Sequence, residues 1–262
     1  MPELLALIRQ SETVFEGQSL QLPHPGIFGG QLLAQSLYAA TQALTDPGPV
    51  VALSATFLNF GDPSQPLTYA VRTLRDGRTA VRGVDVSQGD RLVLEALVTC
   101  QQDAPGWEYS NAYPGIASAT DLLKSGDAHY DMGGDDFPFD LLRDPQEAGD
   151  ATSSIWTRYH GEPMDGLLAQ QMLLAFISDA TILQSSVKPH GVNFGDPDLR
   201  MSTINHSMWF HRPFQAGQWL LLHSNCSSTG AGRALSGAEV YTEEGVLACT
   251  ISQQAAMVRK TA

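Results

Sequence analysis

Cysteine is scarce in this chain, positive charge is scarcer than negative, and no uninterrupted apolar run approaches the ~18 residues of a membrane span. Each shortage excludes something. Three cysteines, Cys100, Cys226 and Cys249, are too few and too scattered for a disulfide framework or a zinc site. Fifteen Lys and Arg against 28 Asp and Glu give a formal charge of -13, which argues against nucleic acid and against an anionic membrane surface. It leaves room for an anionic small ligand, because a few arginines suffice for a local positive mouth. Met1 to Ser11 contains Glu3 and Arg9 and has no signal-peptide core, and the last residues, Arg259 to Ala262, match no retention or peroxisomal signal. A soluble cytoplasmic protein without a membrane span is the expectation. Catalytic signatures are missing too: no Gly-x-Ser-x-Gly elbow, no Walker or dinucleotide glycine loop, no His/Cys cluster.

What the chain does have is a repeat. Leu32-Leu33-Ala34-Gln35 recurs as Leu167-Leu168-Ala169-Gln170, an offset of 135. Later matches run at larger offsets: Gln65-Pro66-Leu67 with Gln218-Trp219-Leu220 at 153, and Leu92-Val93-Leu94 with Val246-Leu247-Ala248 at 154. The jump places an insertion in the second copy between about Gln184 and Arg200. An ordered series of this kind points to a duplicated unit of one helix followed by strands, an α+β chain.

Periodicity fills in the elements. The spacing of Leu33, Leu37, Ala40 and Leu44 predicts a helix from Phe28 to Leu44, ended by Asp46-Pro47-Gly48-Pro49. Strands are expected at Val51–Phe60, Leu67–Leu74, Ala80–Ser87 and Leu92–Gln101, separated by good turn sequences. The stretch from Gln102 to Ser153 is rich in Pro, Gly and Asp, includes Gly133-Gly134-Asp135-Asp136, and reads as a crossover with room for one short helix near Thr120–Ser125. The second copy is expected to hold a strand at Ser154–His160 and a helix from Gly166 to Gln184. Its strands follow at Ser202–Phe214, Trp219–Ser227, Gly232–Thr242 and Val246–Val258. The expected organisation is therefore an N-terminal unit 1–102, a linker 103–153 and a C-terminal unit 154–262. Within the second helix Asp179 falls on an otherwise apolar stripe, which makes it either a functional acid or a buried, hydrogen-bonded structural one.

These segments contain stretches that resemble the bacterial acyl-CoA thioesterase II (TesB-like) family. They are Phe28-Gly29-Gly30-Gln31, Tyr38-Ala39-Ala40, Thr73-Leu74-Arg75-Asp76-Gly77, Ser178-Asp179, Pro189-His190-Gly191 and His206-Ser207-Met208-Trp209-Phe210-His211-Arg212. The resemblance runs from about Val14 to Arg259 and implies a double hotdog, two tandem repeats in which a curved antiparallel sheet wraps a long helix. It also implies hydrolysis of an acyl-CoA or other acyl thioester to free acid, no cofactor or metal, and a homo-oligomer. Members hold a water with an Asp, a Thr or Ser, and a Gln. Carried over by position, the Gln falls on Gln253 and the hydroxyl on Ser227, with Ser228 one residue away, while the acid falls on Asn205. An amide orients water but takes no proton near neutral pH, so the reading leaves three outcomes open. They are hydrolysis with a base from elsewhere (Asp179, His206 or His223), related chemistry on a more reactive thioester, and a thioester-binding protein with weak or no turnover. For the oxyanion, the free N–H groups of a helix start point to Gly30 and Gln31, against the plainer reading that Gly29-Gly30 permits close packing. His24-Pro25-Gly26 beside a helix keeps dehydratase chemistry as a distant option, although Gln31–Leu44 carries no acid.

Overall fold

A computed structural model describes residues 5–20, 26–45, 48–126, 129, 137–144 and 151–260. The expectations placed on His24-Pro25, Asp46-Pro47 and Gly133–Asp136 lie outside these residues. The chain divides into two compact units, and the division falls inside one helix and one strand. Unit 1 is Met1–Tyr109 with Glu162–Phe176 and Ser207–Phe210; unit 2 is Ser110–Gly161, Ile177–His206 and His211–Ala262. The expected boundary lay at residue 102.

Unit 1 contains β1 (Leu7–Arg9), β2 (Val14–Gly17), helix α1 (Gly29–Gln42), β3 (Val50–Phe57), β4 (Leu67–Arg75), β5 (Thr79–Gln88) and β6 (Arg91–Gln101). The strands are antiparallel in the order β1-β2-β4-β5-β6-β3. Helix α1 packs on β3 to β6 and is buried from Gly30 through Leu37 and at Ala39, Ala40 and Thr41. A helix hidden nearly all round has to be apolar or internally satisfied, and its small residues let the sheet come close. Gly30 is the tightest point: a Cβ there would overlap the backbone carbonyl oxygen of Phe176, and Phe28 meets the Phe176 ring edge-on at 4.8 Å. Gln171 Nε2 donates to the Val50 carbonyl at 2.8 Å in the same unit.

Unit 2 repeats this order. The short helix α2 (Ala119–Ser125) comes first, then β7 (Phe139–Arg143), β8 (Thr152–Tyr159), helix α3 (Leu167–Thr181), α4 (Gln184–Val187), β9 (Leu199–Phe210), β10 (Leu220–Gly230), β11 (Arg233–Thr242) and β12 (Leu247–Arg259); of these, Leu167–Phe176 of α3 and Ser207–Phe210 of β9 belong to unit 1. Its strand order is β7-β8-β10-β11-β12-β9. The segment read as a crossover thus supplies a helix and an edge strand. Ser118 caps α2 by accepting from the Asp121 N–H, and β7 buries Phe139 and Leu141 by strand alternation. Ala119, Leu122, Leu142, Trp156, Leu221 and Tyr241 form one core cluster there. The expected insertion contains α4 and a 3-10 turn, Lys188–His190.

The stretch Leu167–His190 is long and apolar enough to cross a membrane by length and composition, but 78% of its most apolar window is buried inside the protein. At the β10–β11 hairpin only Ala231 and Gly232 separate Gly230 from Arg233, and both have positive φ, +48° and +73°. That is what a two-residue type I′ turn demands, and for alanine it costs about 1–2 kcal/mol.

Candidate active site

Three side chains from three elements of unit 2 converge. Gln253, on β12 and fully buried, donates from Nε2 to Asp179 Oδ1 at 2.7 Å and to Thr203 Oγ1 at 2.8 Å. Thr203, on β9, donates its hydroxyl to the same Asp179 oxygen at 3.1 Å. The amide orientation follows from chemistry: an ionised carboxylate only accepts, so the Gln253 atom against it is the NH2 group. Gln253 Oε1 is then left buried without a hydrogen-bond partner. A buried acceptor in that state costs about 1–3 kcal/mol until something donates to it.

Position on each element explains the convergence. Asp179 sits two residues before the end of α3, a site the helix dipole disfavours for an anion, and the hydrogen bonds from Gln253 and Thr203 offset this. Beside it, Ser178 turns inward to His206 on β9, Oγ to Nε2 3.0 Å. His206 is wholly buried, and burial pushes its pKa down to about 3, so the ring is neutral at physiological pH. An Nε2–H donated to Ser178 leaves only the Nδ1 lone pair unpartnered, which is cheaper than burying an unpaired N–H.

The residues expected from the sequence are distributed differently. Gln253 is at the centre, but it meets Asp179 and Thr203 where Asn205 and Ser227 had been expected. Asn205 is partly buried on β9, two residues beyond Thr203. Ser227 and Ser228 are exposed, at a bulge of β10 where the pairing to β11 slips between Cys226 and Ser228. Asp179 enters by the inward turn of its helix, and Thr203, which the sequence reading passed over, enters with it. A hydroxyl two residues before Asn205 on the same strand face was the available signal.

Gly30 and Gln31 have other engagements. Gly30 permits the approach to Phe176 described above. The Gln31 N–H donates to the Phe28 carbonyl at 3.1 Å. The Gln31 side chain holds the Gln18–Leu20 segment, donating to Gln18 O at 2.6 Å and accepting from Leu20 N at 2.8 Å. His223 on β10 pairs with Ser154 on β8, Nδ1 to Oγ 2.9 Å. Among the described residues no three His, Cys, Asp or Glu side chains gather into a metal-binding group.

This architecture is that of a known class. The acyl-CoA thioesterase model matches residues 140–256 and the acyl-CoA thioesterase N-terminal domain model residues 20–101. The chain is 29% identical to acyl-CoA thioesterase 2 of Haemophilus influenzae, covering 96% of this chain and 94% of that protein. It is 27% identical to acyl-coenzyme A thioesterase 8 of Mus musculus over 93% of this chain and 84% of that protein. The crystal structure of acyl-CoA thioesterase II TesB2 from Mycobacterium marinum superposes with a TM-score of 0.86 at 25% identity, covering 99% of this chain and 98% of that one. A hot dog fold protein from Alicyclobacillus acidocaldarius, 20% identical and with a TM-score of 0.80, covering 99% and 98%, shares the fold. The fold is a double hotdog, and the protein is a thioester hydrolase. The chain belongs to the TesB-like acyl-CoA thioesterase II family.

Proposed function

We propose that this chain hydrolyses an acyl-CoA to free acid and coenzyme A at the Asp179–Thr203–Gln253 cluster. Asp179 is the general base: it takes a proton from a water as the water oxygen attacks the thioester carbonyl carbon. The tetrahedral adduct then collapses, the C–S bond breaks, and the proton on Asp179 passes to the departing thiolate. Thr203 and Gln253 hold the carboxylate and aim the water, with Gln253 Oε1 as acceptor for one of its hydrogens. Positioning and base catalysis are separable contributions, and a well-placed base typically contributes ~10²–10⁴ in rate. The observation that carries the reading is the pair of bonds from Gln253 Nε2 to Asp179 and Thr203, which puts a carboxylate beside an unsatisfied buried amide oxygen.

The rival reading, a thioester-binding protein with little turnover, rested on Asn205 standing for the acid. A carboxylate within the Gln253 cluster removes its motive. Free-thiol release from short, medium, long, branched and aromatic acyl-CoAs tests the choice, comparing native protein with Asp179→Asn, Gln253→Ala, Asn205→Asp and Ser227→Ala. Loss of turnover in the first two, with the last two near native, is expected. Native-like turnover in Asp179→Asn, or turnover that appears only in Asn205→Asp, defeats the assignment. A cytoplasmic location and self-association are proposed with it on the family resemblance, the latter to be read by light scattering.

A further inference from the structure

The last turn of α3 is fastened to β9 at two neighbouring residues. Asp179 Oδ1 accepts the Thr203 hydroxyl at 3.1 Å, and Ser178 Oγ meets His206 Nε2 at 3.0 Å. Consecutive helix residues point about 100° apart around the axis, and three residues of strand cover about 10 Å. Two anchors so disposed fix the rotation of the turn as well as its height over the strand, which one anchor cannot do. Rotation matters because a helix side chain swings with it, and Asp179 Oδ1 lies 2.7 Å from Gln253 Nε2.

Strand β9 is adapted to make both anchors. Residues three apart on a regular strand face opposite sides, yet Thr203 and His206 both turn to α3. From His206 onward the strand alternates, buried at His206, Met208 and Phe210, whereas every residue from Met201 to Asn205 is partly buried. The alternation is therefore reset between Thr203 and His206, the kind of irregularity that re-aims a side chain beside a site.

His206 is a poor choice for a position that only has to be filled. Its side chain is 0% exposed and its Nδ1 has no hydrogen-bond partner. The fold thus bears the desolvation of an imidazole and gains one side-chain bond, the one to Ser178. An apolar side chain of similar volume would fill the space without that cost. The ring offers Asp179 no charge either, since burial keeps it neutral. What it can give the carboxylate is geometry. The helix end gives none: the dipole at the C-terminus of α3 disfavours an anion, so Asp179 has to be held in place from elsewhere.

We infer that His206 is a positioning residue for the hydrolysis: through its bond to Ser178 it keeps the last turn of α3 at the rotation that aims Asp179 at Gln253 and at the attacking water. The inference rests on the Asp179 reading above and adds a residue that acts on the reaction only through the helix.

The test measures thiol release from an acyl-CoA, and urea unfolding, on the full-length chain with Ser178→Ala, His206→Leu, the double variant and His206→Gln. Alanine is the best helix former, so Ser178→Ala removes the anchor without harming the helix and decides the matter should His206→Leu fail to fold. Expected is a fall in kcat per folded molecule of about 10–100-fold in each single variant, with KM within about twofold of native. The double variant should fall no further, because both changes remove one bond. His206→Gln keeps an N–H donor at nearly the reach of Nε2 and should restore most of kcat. A kcat per folded molecule near native in Ser178→Ala overturns the inference. So do losses that multiply in the double variant, or a His206→Gln as slow as His206→Leu. Any of these, with turnover still lost in Asp179→Asn, leaves the hydrolase reading standing. Native-like turnover in Asp179→Asn removes that reading and this inference together.

Discussion

Each unit buries a cluster of glutamine with hydroxyl groups, and the two clusters are finished differently. In unit 1, Gln31 and Gln35 lie on α1, and Tyr69 donates to Gln35 Oε1 at 2.5 Å. Gln31 and Gln35 both donate to the Gln18 carbonyl, and Leu20 N–H closes on Gln31. Burial holds the Tyr69 phenol well above its usual pKa range, so it stays a donor. No carboxylate takes part in these bonds, and neither glutamine oxygen is left over. In unit 2, Gln253 spends both amide hydrogens on an acid and a threonine, and its oxygen is left open. A closed network fixes a fold, whereas a network with a charged member and an unpaired acceptor is prepared for something that is not protein.

The contrast can be broken from either side. The largest effect should come from Asp179→Asn, which keeps the shape of the cluster and removes its base: kcat is expected to fall ~10²–10⁴ in steady-state thiol release, with Tm little changed. Gln35→Leu in the other cluster should behave in the opposite way. It leaves the Tyr69 hydroxyl without its acceptor, so a loss of about 1–3 kcal/mol is expected in urea unfolding, with kcat per folded molecule retained. If Gln35→Leu removed turnover without loss of stability, the division between a holding cluster and a working one would be wrong. Gly30→Ala brings a Cβ against backbone that has little freedom to yield, and a destabilisation of about 1–3 kcal/mol is expected by the same measurement.

A pH series sharpens the picture around His206. Its folded pKa, about 3, lies below the ordinary imidazole value of 6.5, so between those values the unfolded chain binds the extra proton. Stability contributed by the neutral ring is therefore full above pH ~6.5 and is lost as the pH falls toward 3. Denaturation midpoints measured from pH 8 to 4 should decline more steeply in native protein than in His206→Gln. Equal slopes would show that the ring is not held neutral. The smallest effect belongs to the hairpin: Ala231→Gly should stabilise by about 1 kcal/mol, provided relief at positive φ exceeds the entropy cost of glycine. A thermal melt reads it.

Much of the fold was legible because helix and strand periods are local. The expected helix Phe28–Leu44 is α1, and the expected strands of both copies fall within a few residues of β3–β6 and β8–β12. The short strands β1, β2 and β7 were not, since three to five residues give too little alternation to register. Asp179 announced itself as a polar break in an apolar stripe. Carrying a motif along the strand by position led instead to Asn205 and Ser227, because position in a chain carries no record of which face or which neighbouring strand completes a site.

By itself, then, the sequence determined the duplicated α+β order, the buried helices and the family, all of which follow from patterns within a dozen residues or from matches over the whole length. The tertiary structure alone decided which acid and which hydroxyl meet Gln253. Those partners stand 74 and 50 residues away in the chain, and only the folded chain brings an oxygen on each within hydrogen-bond reach of one amide nitrogen.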